Sequence, residues 1–400
     1  MKFLKISGFF LLLVAILAAF NHKKITNLVH VLNLFDEGPI VQNFSHMRKA
    51  FYFDEIPASG GKHTWPVSQN PVELPELYSW QGKNKSVSAY LDETRTTSLL
   101  VIKNGEIVYE DYRLGTGQND HRISWSMAKS FLSAMFGVAV DEGKIKSLDD
   151  PVTAYVPELS VSAYNNVSIR DVLYMASGVE FDEDYLDFHS DINKMGRILA
   201  LGGSMDKFAI KMQEVARPSG QNRQYVSIDT HVLGMVLRNA TKQSNKEYLI
   251  EKLWNKLGSE RDAYYLTDGN GIAFVLGGLN MTTRDYARFG ELFRLQGQWQ
   301  GEQIIPKEWV SESTANSAPP PVDPVNDTFG YGYQWWVPQN ANGDFFAGGI
   351  YGQFIYVNPK LHTVIVKTSA HRGFRNDGNF GRDVKHETIE MFRAIANSLN

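Results

Sequence analysis

The chain has 400 residues, 43% hydrophobic and 21% charged, an ordinary globular make-up that excludes a disordered, collagen-like or coiled-coil bulk. Lysine and arginine total 40 against 44 aspartate and glutamate, a net charge of −4 without the basic excess of a nucleic-acid binder. Cysteine is absent, which removes disulfides, zinc–thiolate sites, iron–sulfur clusters, a thiol nucleophile and a lipidated cysteine anchor; covalent chemistry has to use a hydroxyl, an amine, an imidazole or a carboxylate.

At the amino end, Lys2 and Lys5 precede an apolar run over residues 9–20, and Lys23 and Lys24 follow it. Counted from Ile6 the run has 15 residues, short of the ~20 that span a bilayer comfortably. Residues 1–24 read as an export signal, either cleaved or kept as an anchor that tethers the protein through residues 6–20, although no A-x-A cleavage pattern precedes Asn21. The expected location is periplasmic or extracellular. Residues 25–95, punctuated by Pro57, Gly60, Gly61, Pro66, Pro71 and Pro75, lack periodicity and read as an irregular arm. Organised structure is expected over 96–400. Two strand-like runs around Asn104-Gly105 predict a hairpin, because Asn-Gly suits a tight two-residue turn. Residues 126–141 carry Met127, Phe131, Met135 and Val138 at helical spacing. Further helices are predicted over 230–239 and 283–293, strands over 353–357 and 362–368 around Asn358-Pro359-Lys360, and a closing helix over 385–399. Strands at both ends with helices between predict an α/β domain whose sheet is assembled from both ends of the chain, with a helical insertion over roughly 150–300.

The best chemical candidate is the pair Ser126 and Lys129. Residues three apart share a helix face. A serine hydroxyl is a weak nucleophile at neutral pH, and a neutral, desolvated amine one turn away can take its proton. Trp125 and Phe131 offer the low-dielectric surroundings, and the amide of Ser126 at a helix start can help hold an oxyanion. S-x-x-K occurs three times, also at Ser59–Lys62 and Ser204–Lys207. The first of those lies in the arm; the second, after Gly202-Gly203, reads as a surface turn. Only Ser126 opens a long apolar helix. There is no G-x-S-x-G elbow, H-E-x-x-H or P-loop. His231, His362 and His371 are scattered and read as structural.

Six collinear segments, at residues 126–131, 147–152, 171–178, 277–290, 331–336 and 348–353, resemble the class C β-lactamase and penicillin-recognising serine hydrolases. Within that group the chain is similar to the nylon-oligomer (6-aminohexanoate-dimer) hydrolases and related esterases, over residues 97–400. The resemblance implies a β-lactamase/transpeptidase-like fold, an antiparallel sheet flanked by helices with an inserted all-helical domain. It implies that Tyr225, in Tyr225-Val226-Ser227 after Pro218-Ser219-Gly220, shares proton transfer with Lys129. Ser227 stands where asparagine is usual, with shorter reach. Tyr164-Asn165-Asn166 also fits the tripeptide but lacks the lead-in and reads as a surface turn. The lactamase Lys-Thr-Gly is replaced by Ala347-Gly348-Gly349, whose glycines let substrate backbone approach, and the amide of Ile350 is the implied second oxyanion donor. Loss of the lysine that holds an antibiotic carboxylate disfavours β-lactams and favours a small ester, amide or short-peptide substrate. Tyr185 sits where relatives carry a substrate-side tyrosine on a mobile loop; an exposed acidic loop is the plainer reading. The Pro-rich run at 317–324 reads as a connecting loop. The resemblance calls for no metal or organic cofactor. A cell-wall D-amino-acid peptidase or β-lactamase, and a non-catalytic penicillin-binding-like module, remain as alternatives.

Overall fold

A computed structural model of the protein describes residues 22–60, 64–375 and 382–399. Its main sheet has seven strands in chain order: β1 (Thr96–Lys103), β2 (Glu106–Tyr112), β3 (Gly330–Tyr331), β4 (Trp336–Val337), β5 (Phe345–Gly349), β6 (Gln353–Asn358) and β7 (Thr363–Ser369). They lie in the order β3-β4-β5-β6-β7-β1-β2, all pairs antiparallel. The two chain ends meet where β7 pairs with β1, Val364 opposite Ile102 and Val366 opposite Leu100. The β1–β2 hairpin turns at Asn104 (φ 53°) and Gly105 (φ 82°), the left-handed pair that a two-residue turn requires. β1 is buried at every position but the last, Lys103, because both faces of the sheet are covered.

Four helices matter for the site: α1 (Ala128–Asp141), α2 (Ser227–Thr241), α3 (Thr283–Arg294) and α4 (Arg382–Ser398). One sheet face buries Ile355, Val357, Val364 and Val366 in a core shared with Phe289 and Phe293 of α3 and Phe131 of α1. The other buries Leu99, Phe354, Tyr356 and Ile365 with Ile389, Phe392 and Ile395 of α4. Lys367 on β7 is wholly buried, and among the described residues its Nζ donates only to Ser369 Oγ, at 2.6 Å.

Two expectations change. The segment read as irregular forms a helix at His22–Leu32, a strand at Tyr52–Ile56, a hairpin of Leu77–Trp80 with Lys83–Ser86, and a helix at Val87–Glu93. These elements are short and draw their stability from distant partners, which local periodicity does not record: Tyr52–Ile56 pairs antiparallel with Ala263–Thr267. The range 150–300 is not one helical insertion: helices dominate as far as Leu257. Ala263–Thr267 and Leu279–Met281 then form a second sheet with Tyr52–Ile56 and Arg122–Ile123, and α3 packs on the main sheet. The apolar run at 9–20 lies outside the described residues; among those described, no helix is long and apolar enough to cross a membrane.

Candidate active site

The strand Arg122–Ile123 ends beside Leu279–Met281, and the amide of Ser124 donates to Leu279 O at 2.8 Å. Trp125 then adopts φ 42°, a strained left-handed conformation for a bulky residue, which swings the chain into a 3₁₀ turn (Trp125–Met127) and into α1. Ser126 emerges at this corner. Lys129 Nζ lies 3.1 Å from Ser126 Oγ and donates to Leu276 O at 2.9 Å. One N–H is thus spent on the carbonyl while the nitrogen stays beside the hydroxyl. Burial removes Lys129 from water and lowers its pKa from 10.5 to about 7, against the partial restoring pull of the Glu183 charge. Near neutral pH a fraction of this amine is unprotonated, as a base requires.

Tyr225 completes the group. Its hydroxyl is close enough to Ser126 for that side chain to favour the ionised phenol, its ring stacks on Trp336 (centroids 5.5 Å, 17°), and Lys129 Nζ stands 5.3 Å from the ring centre. Burial first, and then the Glu183 charge, push the phenol pKa up, so Tyr225 stays neutral and can relay a proton. Ser227 faces elsewhere. It starts α2, its Oγ donates to Glu183 Oε1 (2.5 Å) and its amide to Glu183 Oε2 (3.0 Å). Tyr185 donates to the same carboxylate, at 2.8 Å. Glu183 lines the cavity that Ser126 opens into, and Ser227, named among the substrate-binding candidates, is not among its lining residues. Burial raises the pKa of Glu183, opposed by the charge of Lys129 and by the bonds from Ser227. Asp229, one turn into α2 and bonded by Tyr164 at 2.7 Å, is raised by burial to about 7.

The cavity holds about 920 Å³ and is lined by Ser126, Tyr225, Tyr185, Gly348, Gly349 and Ile350 among others. Carboxylates outnumber cationic side chains on its walls. β5 brings Gly349 against the Ser126 corner: a Cβ there would sit 2.5 Å from Ser124 O and 3.1 Å from Ser126 N. Gly349→Ala is expected to lower kcat by about 10²-fold, because the clash displaces Ser126 by a few tenths of an ångström or more. Steady-state kinetics on a p-nitrophenyl ester checks this; a rate within threefold of the parent would show that the two segments can part freely. After Ile350, Tyr351 (φ 62°) and Gly352 (φ 85°) make a tight turn. Tyr351 is held by the arm: Phe35 stacks on it (5.1 Å, 7°), and Phe44 meets both Tyr351 (5.2 Å) and Trp125 (5.6 Å) edge-on. Arg122 Nη1 donates to Val41 O and Ser45 Oγ.

The rival motifs do not converge on this point. Ser204 caps the helix Met205–Ile210 instead of forming a loose turn; Ser59 Oγ bonds Ser259 O, and Lys62 lies outside the described residues. Tyr164 is fully buried, not on a surface turn, and bonds Asp229. His231 is buried with Nε2 2.8 Å from Asp206. The loop at 317–324 edges the cavity through Val322 and Asp323 and does more than connect. Glu183 carried no sequence signal, since an acidic run normally marks a solvated loop.

Residues 84–388 match the β-lactamase family model. The chain is 31% identical over 290 residues to 6-aminohexanoate-dimer hydrolase of Paenarthrobacter ureafaciens, covering 70% of this chain and 74% of that one. Among solved structures, a Bacillus anthracis protein provisionally given the same name superposes with a TM-score of 0.79 at 24% identity, over 92% of this chain and 96% of that one. EstCE1, a hydrolase with promiscuous acyltransferase activity, gives 0.60 at 15% identity, over 77% and 96%. These two similarities speak for the fold, a β-lactamase/transpeptidase-like arrangement of antiparallel sheets and helices. The chain belongs to the β-lactamase family of hydrolases.

Proposed function

We propose that this protein hydrolyses a small ester or amide through an acyl-enzyme on Ser126. The observation that carries the reading is the 3.1 Å contact of buried Lys129 Nζ with Ser126 Oγ, where Ser126 and Tyr225 line one open cavity. Ser126 Oγ attacks the carbonyl carbon and its proton passes to Lys129. The developing oxyanion is held by the amides of Ser126 and Ile350. Tyr225 passes a proton to the departing alcohol or amine, the C–O or C–N bond breaks, and water repeats the sequence to release the acid. Ala347-Gly348-Gly349 puts no cation beside the nucleophile, which supports esters and amides over β-lactams. The name of the Paenarthrobacter relative makes 6-aminohexanoate dimer the first amide to try. Export by residues 1–24, with residues 6–20 as signal or tether, belongs to the same reading.

A fluorophosphonate probe followed by intact-mass and peptide analysis tests the reading directly. One adduct on Ser126 is expected; an unlabelled protein would instead favour a non-catalytic binding module. A panel of short esters, amides, D-peptides and a chromogenic cephalosporin then ranks the substrate classes.

A further inference from the structure

The turn that carries Ile350 lies beyond the last ladder pair of its hairpin. β5 and β6 end their register at Gly349 opposite Gln353, and between the two the chain passes through Tyr351 (φ 62°) and Gly352 (φ 85°). What holds this turn is a side chain. Gln353 opens β6 ahead of Phe354, Ile355, Tyr356 and Val357, and is wholly buried. Its Nε2 donates to Ser369 O (2.8 Å), Tyr351 O (3.2 Å) and Ile350 O (3.3 Å), and its Oε1 accepts from the amide of Ser369 (3.2 Å). Two N–H groups thus serve three carbonyls, and every partner is main chain.

A buried amide in an otherwise apolar strand is costly unless its bonds are made, and packing alone would ask for a β-branched residue here. The amide bridges two parts of the fold instead. Ser369 ends β7, the neighbour of β6, whereas Ile350 and Tyr351 lie past the end of β5. Tyr351 O has a second donor, the amide of His371 (3.1 Å). Among the described residues, Gln353 Nε2 is the one donor that meets Ile350 O. Ile350 is thereby pinned from both sides: its amide follows Gly349, which is held in the ladder, and its carbonyl is held by Gln353. The same side chain starts beside the Ser126 corner. A Cβ on Gly349 would lie 3.1 Å from Ser126 N and 3.2 Å from Gln353 Cβ.

The geometry points to Gln353 as the positioning residue of the oxyanion hole: it holds Ile350 O so that the amide of Ile350 stays aimed, with that of Ser126, at the oxygen of the tetrahedral intermediate. This rests on the hydrolase reading above and adds to it the side chain that fixes the second donor. Gln353 is not among the residues lining the cavity, so it acts through Ile350 and not on the substrate. Its influence falls on the charge that develops at the carbonyl oxygen, which exists in the transition states and not in the bound ester. Acylation and deacylation both pass through that oxyanion, so both steps depend on the same clamp.

The test compares p-nitrophenyl butyrate with its thiono twin, in which sulfur replaces the carbonyl oxygen. Sulfur is larger and a weaker hydrogen-bond acceptor, so two amides set for oxygen favour the oxoester. Gln353→Met keeps the length of the side chain and has no N–H. It should lower kcat for the oxoester by about 10- to 100-fold with KM within about threefold, and reduce the oxoester-to-thionoester ratio of kcat/KM by about fivefold or more. That ratio cancels any loss of folded enzyme, which is all that a merely structural role would cause. Gln353→Glu, which keeps the shape and the acceptor for the Ser369 amide but has no N–H for Ile350 O, should show the same two changes. An unchanged ratio in the folded variants, or a loss of turnover well beyond the ~10³-fold that one oxyanion donor supplies, overturns the positioning role and leaves the hydrolase reading intact. So does failure of both variants to fold, which would make Gln353 a residue of the core first. A parent without Ser126-dependent turnover of either ester overturns the hydrolase reading itself, and this assignment with it.

Discussion

Ser126→Ala is expected to lower kcat/KM for a small p-nitrophenyl ester by about 10⁴-fold or more, with little loss of stability. Among the described residues Ser126 Oγ is the one hydroxyl that Lys129 Nζ meets, so on the proposed mechanism no neighbour takes over. The variant keeps Lys129 bonded to Leu276 O and keeps Tyr225 stacked on Trp336, so the scaffold around the missing oxygen stays in place. Kinetics on the purified variant, with a matched urea titration, measures both effects. Activity within tenfold of the parent would place the nucleophile elsewhere and remove the acyl-enzyme from the mechanism.

Lys129→Met should cost about 10³-fold in kcat/KM, since methionine fills the space of the stem but cannot accept the Ser126 proton. The parent's rate should rise with pH through about 7 as Lys129 loses its proton. Glu183→Gln should move that rise to lower pH, because the glutamate charge is what pulls the amine pKa back up against burial. Stability has its own sign. The folded pKa of Lys129 lies below the unfolded value of 10.5, so between about 7 and 10.5 the unfolded chain binds more protons and stability increases with pH. The penalty is complete below about 7. Lys129→Met removes it, so the variant should be more stable than the parent at pH 6, with the advantage shrinking toward pH 10. Lys367, also lowered to about 7 by burial, tilts both proteins equally and cancels in the difference. Urea midpoints of the two proteins at pH 6 and 9 decide it; a parent that is the more stable at pH 6 would mean that the fold does not penalise the charged form of Lys129.

What could be read from the sequence was local. The hairpin at Asn104-Gly105 is encoded by the two residues that adopt it, and Ser126 with Lys129 by a spacing of three at a helix start. Tyr225 was accessible only because the segment resembles related chains; nothing in the tripeptide distinguishes it from Tyr164, and the difference is whether the hydroxyl meets Ser126 or Asp229. Glu183 was invisible. Its burial is decided by the amide and hydroxyl of Ser227, 44 residues away, which turn an acidic loop inward to cap α2. Ser227, read as standing where asparagine is usual, gives both its amide and its hydroxyl to that glutamate. The strand Tyr52–Ile56 was missed for a similar reason: its pairing partner begins more than 200 residues later.

The aromatic contacts of Phe35 and Phe44 separate two boundaries usually drawn together. The family match begins at residue 84, yet the residue preceding the nucleophile, Trp125, and the residue following Ile350, Tyr351, are wedged by rings supplied from upstream of it. The stretch covered by the family model and the elements that brace this corner thus begin at different places. Relatives that share the matched stretch but carry another leader would tune one catalytic corner through different bracing, and could diverge in rate without a single change inside the cavity.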